Sequence, residues 1–228
     1  MKQESFIFKI MVPLVAAILS FMLCGVLIFF IGANPLVAYS YLFKGAFGSI
    51  GSIGETFIKA TPLIFTGLSA TFAYRCGVVN LGAEGQFIMG AIFSIWFSTG
   101  LFQLPGGIGI VLSLILGMIA GGLWGAIPGL LKAYRGLNEM IISLLLNYIA
   151  TLFMSFLYTG PLKEASIPQT ASVIDKFKLA RMFTGSRVHT GILIALLVTI
   201  IIYYFLFNTS KGYQLRVVGL NPIAARVN

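Results

Sequence analysis

Gly77-Val78-Val79-Asn80-Leu81-Gly82-Ala83-Glu84-Gly85-Gln86 sets two amides, a carboxylate and three glycines inside a sequence that is otherwise strongly apolar. In hydrocarbon every backbone N–H and C=O needs a partner, and a charge at the bilayer centre costs roughly 2.5–3.5 kcal/mol on insertion scales. Such a stretch must face protein or water. It joins two apolar runs, and function is expected where it sits.

The rest of the chain shows what it interrupts. Over 228 residues, 58% are hydrophobic and 9% charged, with a mean hydropathy of +0.99. A soluble domain of this size cannot hide so much apolar surface, so the chain reads as an all-α integral membrane protein. The first apolar run, 10–31, has the ~20 residues that cross ~30 Å of hydrocarbon, and is too long for the core of a cleaved signal peptide. The net charge of +9 lies between apolar runs, without the interleaved aromatics of a nucleic-acid surface, and reads as a topology signal with no nucleic-acid partner. Cys24 and Cys76 have no metal-ligand spacing and read as small hydrophobes.

Further apolar segments at 53–73, 81–102, 108–131, 140–158 and 190–207 bring the expectation to about six membrane helices in one domain, 1–228. With Lys2 and Lys9 in the cytoplasm, Arg75, the basic turn at 132–135, and Lys211, Arg216 and Arg226 also fall inside. The segment 159–189 opposes this orientation, because it carries Lys163, Lys176, Lys178, Arg181 and Arg187 yet falls outside. Its prolines and Gly185 predict an extended loop with a short surface helix near 173–181. Between the first two spans, Asn34-Pro35 and the apolar 36–47 predict an interfacial or re-entrant segment, with Tyr39, Tyr41, Phe43 and Phe47 at headgroup level. Gly117, Gly121 and Gly125 recur every four residues and predict a helix face packed closely on a neighbour.

No phosphate loop, zinc-protease helix or nucleophile elbow is present, and the single histidine, His189, lies at the mouth of the last span. Hydrolytic chemistry has no constellation to use, and no metal site or bound cofactor is expected. Two readings of Gly77–Gln86 stand side by side. Asn80 caps a helix with Glu84 in its first turn, or Asn80, Glu84 and Gln86 meet a polar solute. Asn138 and Glu139 read as the cap and first residue of the fifth span. Asn147 and Tyr148, deeper in that span, offer hydrogen bonds either to a solute or to a neighbouring helix. In the tail, Asn221-Pro222 reads as a cap and first residue of a short helix whose small Ala224 and Ala225 suit a partner's groove.

Three regions together resemble the permease subunits of ABC importers for nucleosides and simple sugars, related to ribose and branched-chain amino acid permeases. Gly77–Gln86 looks like that family's G-x-x-N-x-G-x-E-G-Q element, preceded by Pro62-Leu63-Ile64-Phe65-Thr66-Gly67-Leu68. Asn138-Glu139-Met140-Ile141-Ile142-Ser143 through Asn147-Tyr148 looks like its N-E-x-I-x-S element, and 212–226 is similar to its cytosolic ATPase-docking segment. The resemblance implies a multi-span helical permease in a bacterial-type plasma membrane, paired with a second permease, a cytosolic ABC ATPase that binds ATP and Mg, and an extracellular solute-binding protein. It implies docking through Gly219, Asn221, Pro222, Ala224, Ala225 and Arg226 within 208–228. Family members continue through further spans beyond the docking segment, so an incomplete copy of a longer permease is expected. An ATPase-independent channel or carrier and a membrane scaffold are the competing readings; sparse intramembrane charge speaks against ion coupling.

Overall fold

The computed structural model describes residues 6–100, 104–164, 167–183, 186–221 and 225. Among the described residues eight α-helices follow one another: α1 (Phe6–Phe30), α2 (Pro35–Phe47), α3 (Ile50–Arg75), α4 (Ala83–Thr99), α5 (Gly106–Arg135), α6 (Glu139–Thr159), α7 (Gly191–Asn208) and α8 (Ser210–Leu220). Among the described residues there is no β-strand, only two isolated bridges in the loop before α7. Pro222, Ala224 and Arg226 lie outside the described residues.

Among the described residues four stretches are long and apolar enough to cross a membrane: Ile10–Phe30, Gly106–Arg135, Glu139–Thr159 and Gly191–Asn208. The other two expected crossings are helices of a different character. α3 carries Glu55 and Lys59 among glycines and hydroxyl residues. α4 has 17 residues, about 26 Å at 1.5 Å per residue, short of a ~30 Å hydrocarbon layer.

The chain forms two compact units, Met1–Thr56 with Gly185–Arg187, and Phe57–Thr184 with Val188–Asn228. In the first, Asn34 caps α2, its Oδ1 accepting from the Leu36 and Val37 N–H groups at 3.0 and 3.4 Å. Proline at the first helical position has no N–H to leave unpaired. α2 turns back along α1: the Tyr39 hydroxyl donates to the Phe21 carbonyl, the two rings meet edge-on at 5.6 Å, and Gly25 leaves the space beside them. Arg187 grips Glu55 with both arms of its fork, at 2.8 and 2.9 Å.

The second unit is built on α4, which packs against both α5 and α6. Ile88 and Met89 of α4 and the fully buried Ala150 of α6 form its core, with Ile92, Trp124 and Met154 around them. The glycine face of α5 makes the close packing that its spacing predicts. A Cβ on Gly117 would lie 3.1 Å from the Gly90 carbonyl oxygen, one on Gly90 2.9 Å from that of Gly117, and one on Gly121 2.9 Å from that of Gln86. Backbone therefore meets backbone along this seam.

The loop before α7 departs from expectation. Its helix is a single 3-10 turn, Asp175–Phe177, and Phe177 is buried instead of lying on the surface. The ring stacks on Phe97 at 6.4 Å between centroids and fills the space over Gly109, where a Cβ would come within 2.0 Å of it.

Candidate functional site

The polar stretch between α3 and α4 is held by side chains from three helices. α3 ends at Arg75, and Gly77 turns the chain with φ of 75°, a left-handed conformation that glycine adopts without strain. Asn80 then bonds in three directions. Its Oδ1 accepts from the Gly82 N–H at 2.9 Å, and its Nδ2 donates to Ser69 Oγ of α3 at 3.2 Å. It also pairs reciprocally with Gln86: Asn80 Nδ2 donates to Gln86 Oε1 at 3.2 Å and Gln86 Nε2 donates to Asn80 Oδ1 at 3.1 Å.

Asn80 is thus not the cap of α4. That position belongs to Gly82, which has no side chain to offer. The missing oxygen comes from α6: Asn147 Oδ1 accepts from the Gly85 N–H at 2.9 Å, and Asn147 Nδ2 donates to the Leu81 carbonyl at 2.9 Å. One amide satisfies a donor of the first turn of α4 and a carbonyl just before it. Gly85 is obligatory here, since a Cβ would sit 2.8 Å from Asn147 Oδ1 and 3.2 Å from Trp124 Nε1 of α5.

At the start of α6, Asn138 caps as predicted, its Oδ1 accepting from the Met140 and Ile141 N–H groups at 2.9 and 3.4 Å. Glu139 follows in the first turn, where the helix dipole favours a carboxylate, and accepts from Lys132 at the end of α5. Gly136, with φ of 66°, makes the left-handed cap between them. Asn80, Gln86, Glu139 and Ser143 share a cavity of about 140 Å³. That is room for several waters and well below the ~300–1,000 Å³ of a typical small-molecule pocket.

Of the sequence-predicted site residues, Asn80, Gln86 and Asn147 are brought together. Glu84 and Tyr148 are exposed and take no part in the hydrogen bonds of this cluster. Ser69, Lys132 and Ser143 belong to the site without having been singled out.

The tail is arranged differently from expectation. Ser210–Leu220 is a helix, started by Thr209, whose Oγ1 accepts from the Gly212 N–H at 3.0 Å. Asn221 closes that helix, with φ of −155° and ψ of 98°, and the helix expected from Pro222 onward falls largely outside the described residues. Ala225 donates its N–H to the Asn221 carbonyl at 3.0 Å. α8 lies against the end of α3 through two glycines: a Cβ on Gly77 would fall 2.8 Å from Gly219 Cα, and one on Gly219 would fall 2.4 Å from the Arg75 carbonyl oxygen.

Residues 52–228 match the family described as the permease component of the branched-chain amino acid transport system. The chain belongs to that family. The polar turn, its Asn147 brace and α8 all lie within the matched region. This permease is 37% identical over 222 residues to the guanosine ABC transporter permease protein NupP of Bacillus subtilis, covering 95% of the chain and 63% of the relative. It is 33% identical over 229 residues to the nucleoside ABC transporter permease protein NupB of Lactococcus lactis, covering 95% and 62%. It is 30% identical over 226 residues to a glucose ABC transporter permease protein of Haloferax volcanii, covering 94% and 59%. The permease chain therefore spans under two thirds of the length of these curated relatives. No solved structure matches it significantly.

Proposed function

We propose that this chain is the membrane-spanning permease subunit, or a major part of it, of an ATP-driven importer of nucleosides, with simple sugars as the second solute class. It works in a multi-pass plasma-membrane assembly with its amino terminus in the cytoplasm, α3 and α4 adding two crossings to the four apolar spans. ATP and Mg bind a partner ATPase, a second permease completes the pathway, and an external binding protein delivers the solute. The single observation that carries the reading is that the turn 77–86 bears the polar cluster on one side and the Gly77–Gly219 contact with α8 on the other. A push on the tail and a change at the polar cluster are then linked through one short segment, which alternating access requires.

In this reading Asn80, Glu84, Gln86, Asn147 and Tyr148 line the solute path, and 208–228 is the docking segment, with Gly219, Asn221, Pro222, Ala224, Ala225 and Arg226 at the contact. Of these residues Asn80 and Gln86 line the 140 Å³ cavity, which in this reading is a closed part of the path. The names of the two nucleoside relatives support nucleosides over sugars. Uptake of labelled guanosine by cells carrying or lacking the full-length gene, with glucose and ribose as competitors, tests the proposal. ATP-dependent uptake should vanish with the gene and should fail when Ala225 is replaced by Trp. Uptake that persists without ATP, or that A225W leaves unchanged, would favour an independent channel or carrier.

A further inference from the structure

A groove of about 410 Å³ runs between the end of α3 and α8, lined by Tyr74, Arg75, Val78, Val79, Arg216 and Leu220 among others. Two of its residues are arginines, and the described acidic residues contribute nothing to its lining. The three ion pairs among the described residues place their carboxylates elsewhere, on Lys132, Lys178 and Arg187.

Both guanidinium groups converge on one ring. Arg75 lies 5.6 Å and Arg216 5.0 Å from the centroid of Phe207. They cannot be farther apart than those distances laid end to end, about 11 Å, which is close to the ~10 Å screening length at moderate salt. Two like charges therefore share one ring and one groove whose lining contains no carboxylate, the nearest being Glu139, which is bonded to Lys132 and to the Val79 backbone, while cation–π contacts hold both in place. Arg216 also keeps a buried Nε–H with no hydrogen-bond partner, although buried donors are nearly always satisfied.

The depth of the groove follows from α7. Phe207 stands in the last turn of a helix long and apolar enough to cross a membrane, which ends at Asn208. The two arginines therefore lie where that helix leaves hydrocarbon, at headgroup level, with Val78, Val79 and Leu220 as apolar neighbours. Basic pockets at that level hold phosphate groups, and the planar fork of arginine suits them.

We infer that Arg75 and Arg216 form a binding site for a phosphate group, of the kind carried by an anionic lipid headgroup or by free phosphate. This site is separate from the polar cluster and does not depend on which solute the chain moves. Native mass spectrometry of the delipidated chain in mild detergent tests it, with phosphatidylglycerol and inorganic phosphate titrated separately. Wild type should take up phosphatidylglycerol, R75Q/R216Q should bind it roughly tenfold or more weakly, and K211Q, on α8 but outside the groove lining, should bind like wild type. Binding of the lipid alone names a headgroup as the ligand, and equal binding of inorganic phosphate names a free anion. Should the double variant fail to fold, R75Q decides, because Arg75 is exposed at a helix end. An affinity unchanged in R75Q/R216Q, or lowered equally by K211Q, would overturn the site.

Discussion

Asn147 and Gly85 stand 62 residues apart in sequence and share a 2.9 Å hydrogen bond, from the first turn of α4 to the side chain of α6. With its second bond to the Leu81 carbonyl, this one amide ties the polar turn to the helix bundle. Each backbone group it satisfies would cost about 1–3 kcal/mol if left buried and unpaired. Asn147→Leu should therefore lower stability by roughly 2–4 kcal/mol, read as a fall in Tm in detergent. Asn147→Asp keeps the acceptor for Gly85 but turns a carboxylate oxygen towards the Leu81 carbonyl, so it should lose at least as much at pH 7 and recover part of the loss once protonated; a loss that does not change with pH would show that the bond to Leu81 is not what matters.

The seam between α4 and α5 predicts a contrast between two glycines of similar chemistry. Gly90→Ala puts a methyl 2.9 Å from the Gly117 carbonyl oxygen, and forcing the helices apart should cost about 1–3 kcal/mol. Gly122 has nothing within 4 Å of the corresponding position. Gly122→Ala should leave the protein as stable or up to about 1 kcal/mol more stable, through the helix preference of alanine. The two thermal melts should move in opposite directions or differ by several degrees, and identical melts would contradict the seam.

Phe177 holds the loop before α7 by burying its ring on Phe97 and Gly109. Removing a buried phenyl group costs about 3–5 kcal/mol, here concentrated on one loop. Phe177→Ala should free the loop and speed tryptic cleavage at Lys176 and Lys178, which are already exposed, while the helices remain folded by circular dichroism. Cleavage at the wild-type rate would mean that the ring is not the anchor.

In the same loop, the Lys178 ammonium, bonded to Asp175 at 2.7 Å, holds the Asp175 carboxyl below its ordinary value of 3.8. A carboxylate with a depressed pKa stabilises the folded loop above the unfolded pKa, and that contribution disappears as pH falls through the folded one. An NMR titration of Asp175 should give a midpoint below 3.8 that returns towards it in Lys178→Met. A midpoint that Lys178→Met does not move would rule out the pair as the cause.

Long apolar runs made α1, α5, α6 and α7 legible, because a membrane helix declares itself by length alone. The local cap at Asn138 was equally readable, its side chain bonding N–H groups two and three residues ahead; Asn34 caps α2 in the same way, from a residue type and position that carried the same signal. What failed was anything completed from afar. Asn80 carried the right residue type for a cap, yet the oxygen that serves α4 comes from Asn147, which no local pattern reveals. At Asn221 the unforeseen part was the helix that it closes. A residue before proline is pushed out of the helical region, so it ends a helix more readily than it sits inside one, and its extended backbone closes α8. α8 itself is polar and short, without the apolar run that marks the others, and Thr209 was its one local sign.

The meeting of Gly77 and Gly219 has a mechanical meaning. Contacts between side chains have slack, since rotamers can turn and absorb a displacement of an ångström or so before anything beyond them moves. At this junction backbone rests on backbone, with no side chain on either residue to flex. The joint has almost no compliance in compression, so a load on α8 reaches the turn undamped, whereas a pull simply opens the gap. In the proposed importer this contact would act as a pushrod and not as a tether.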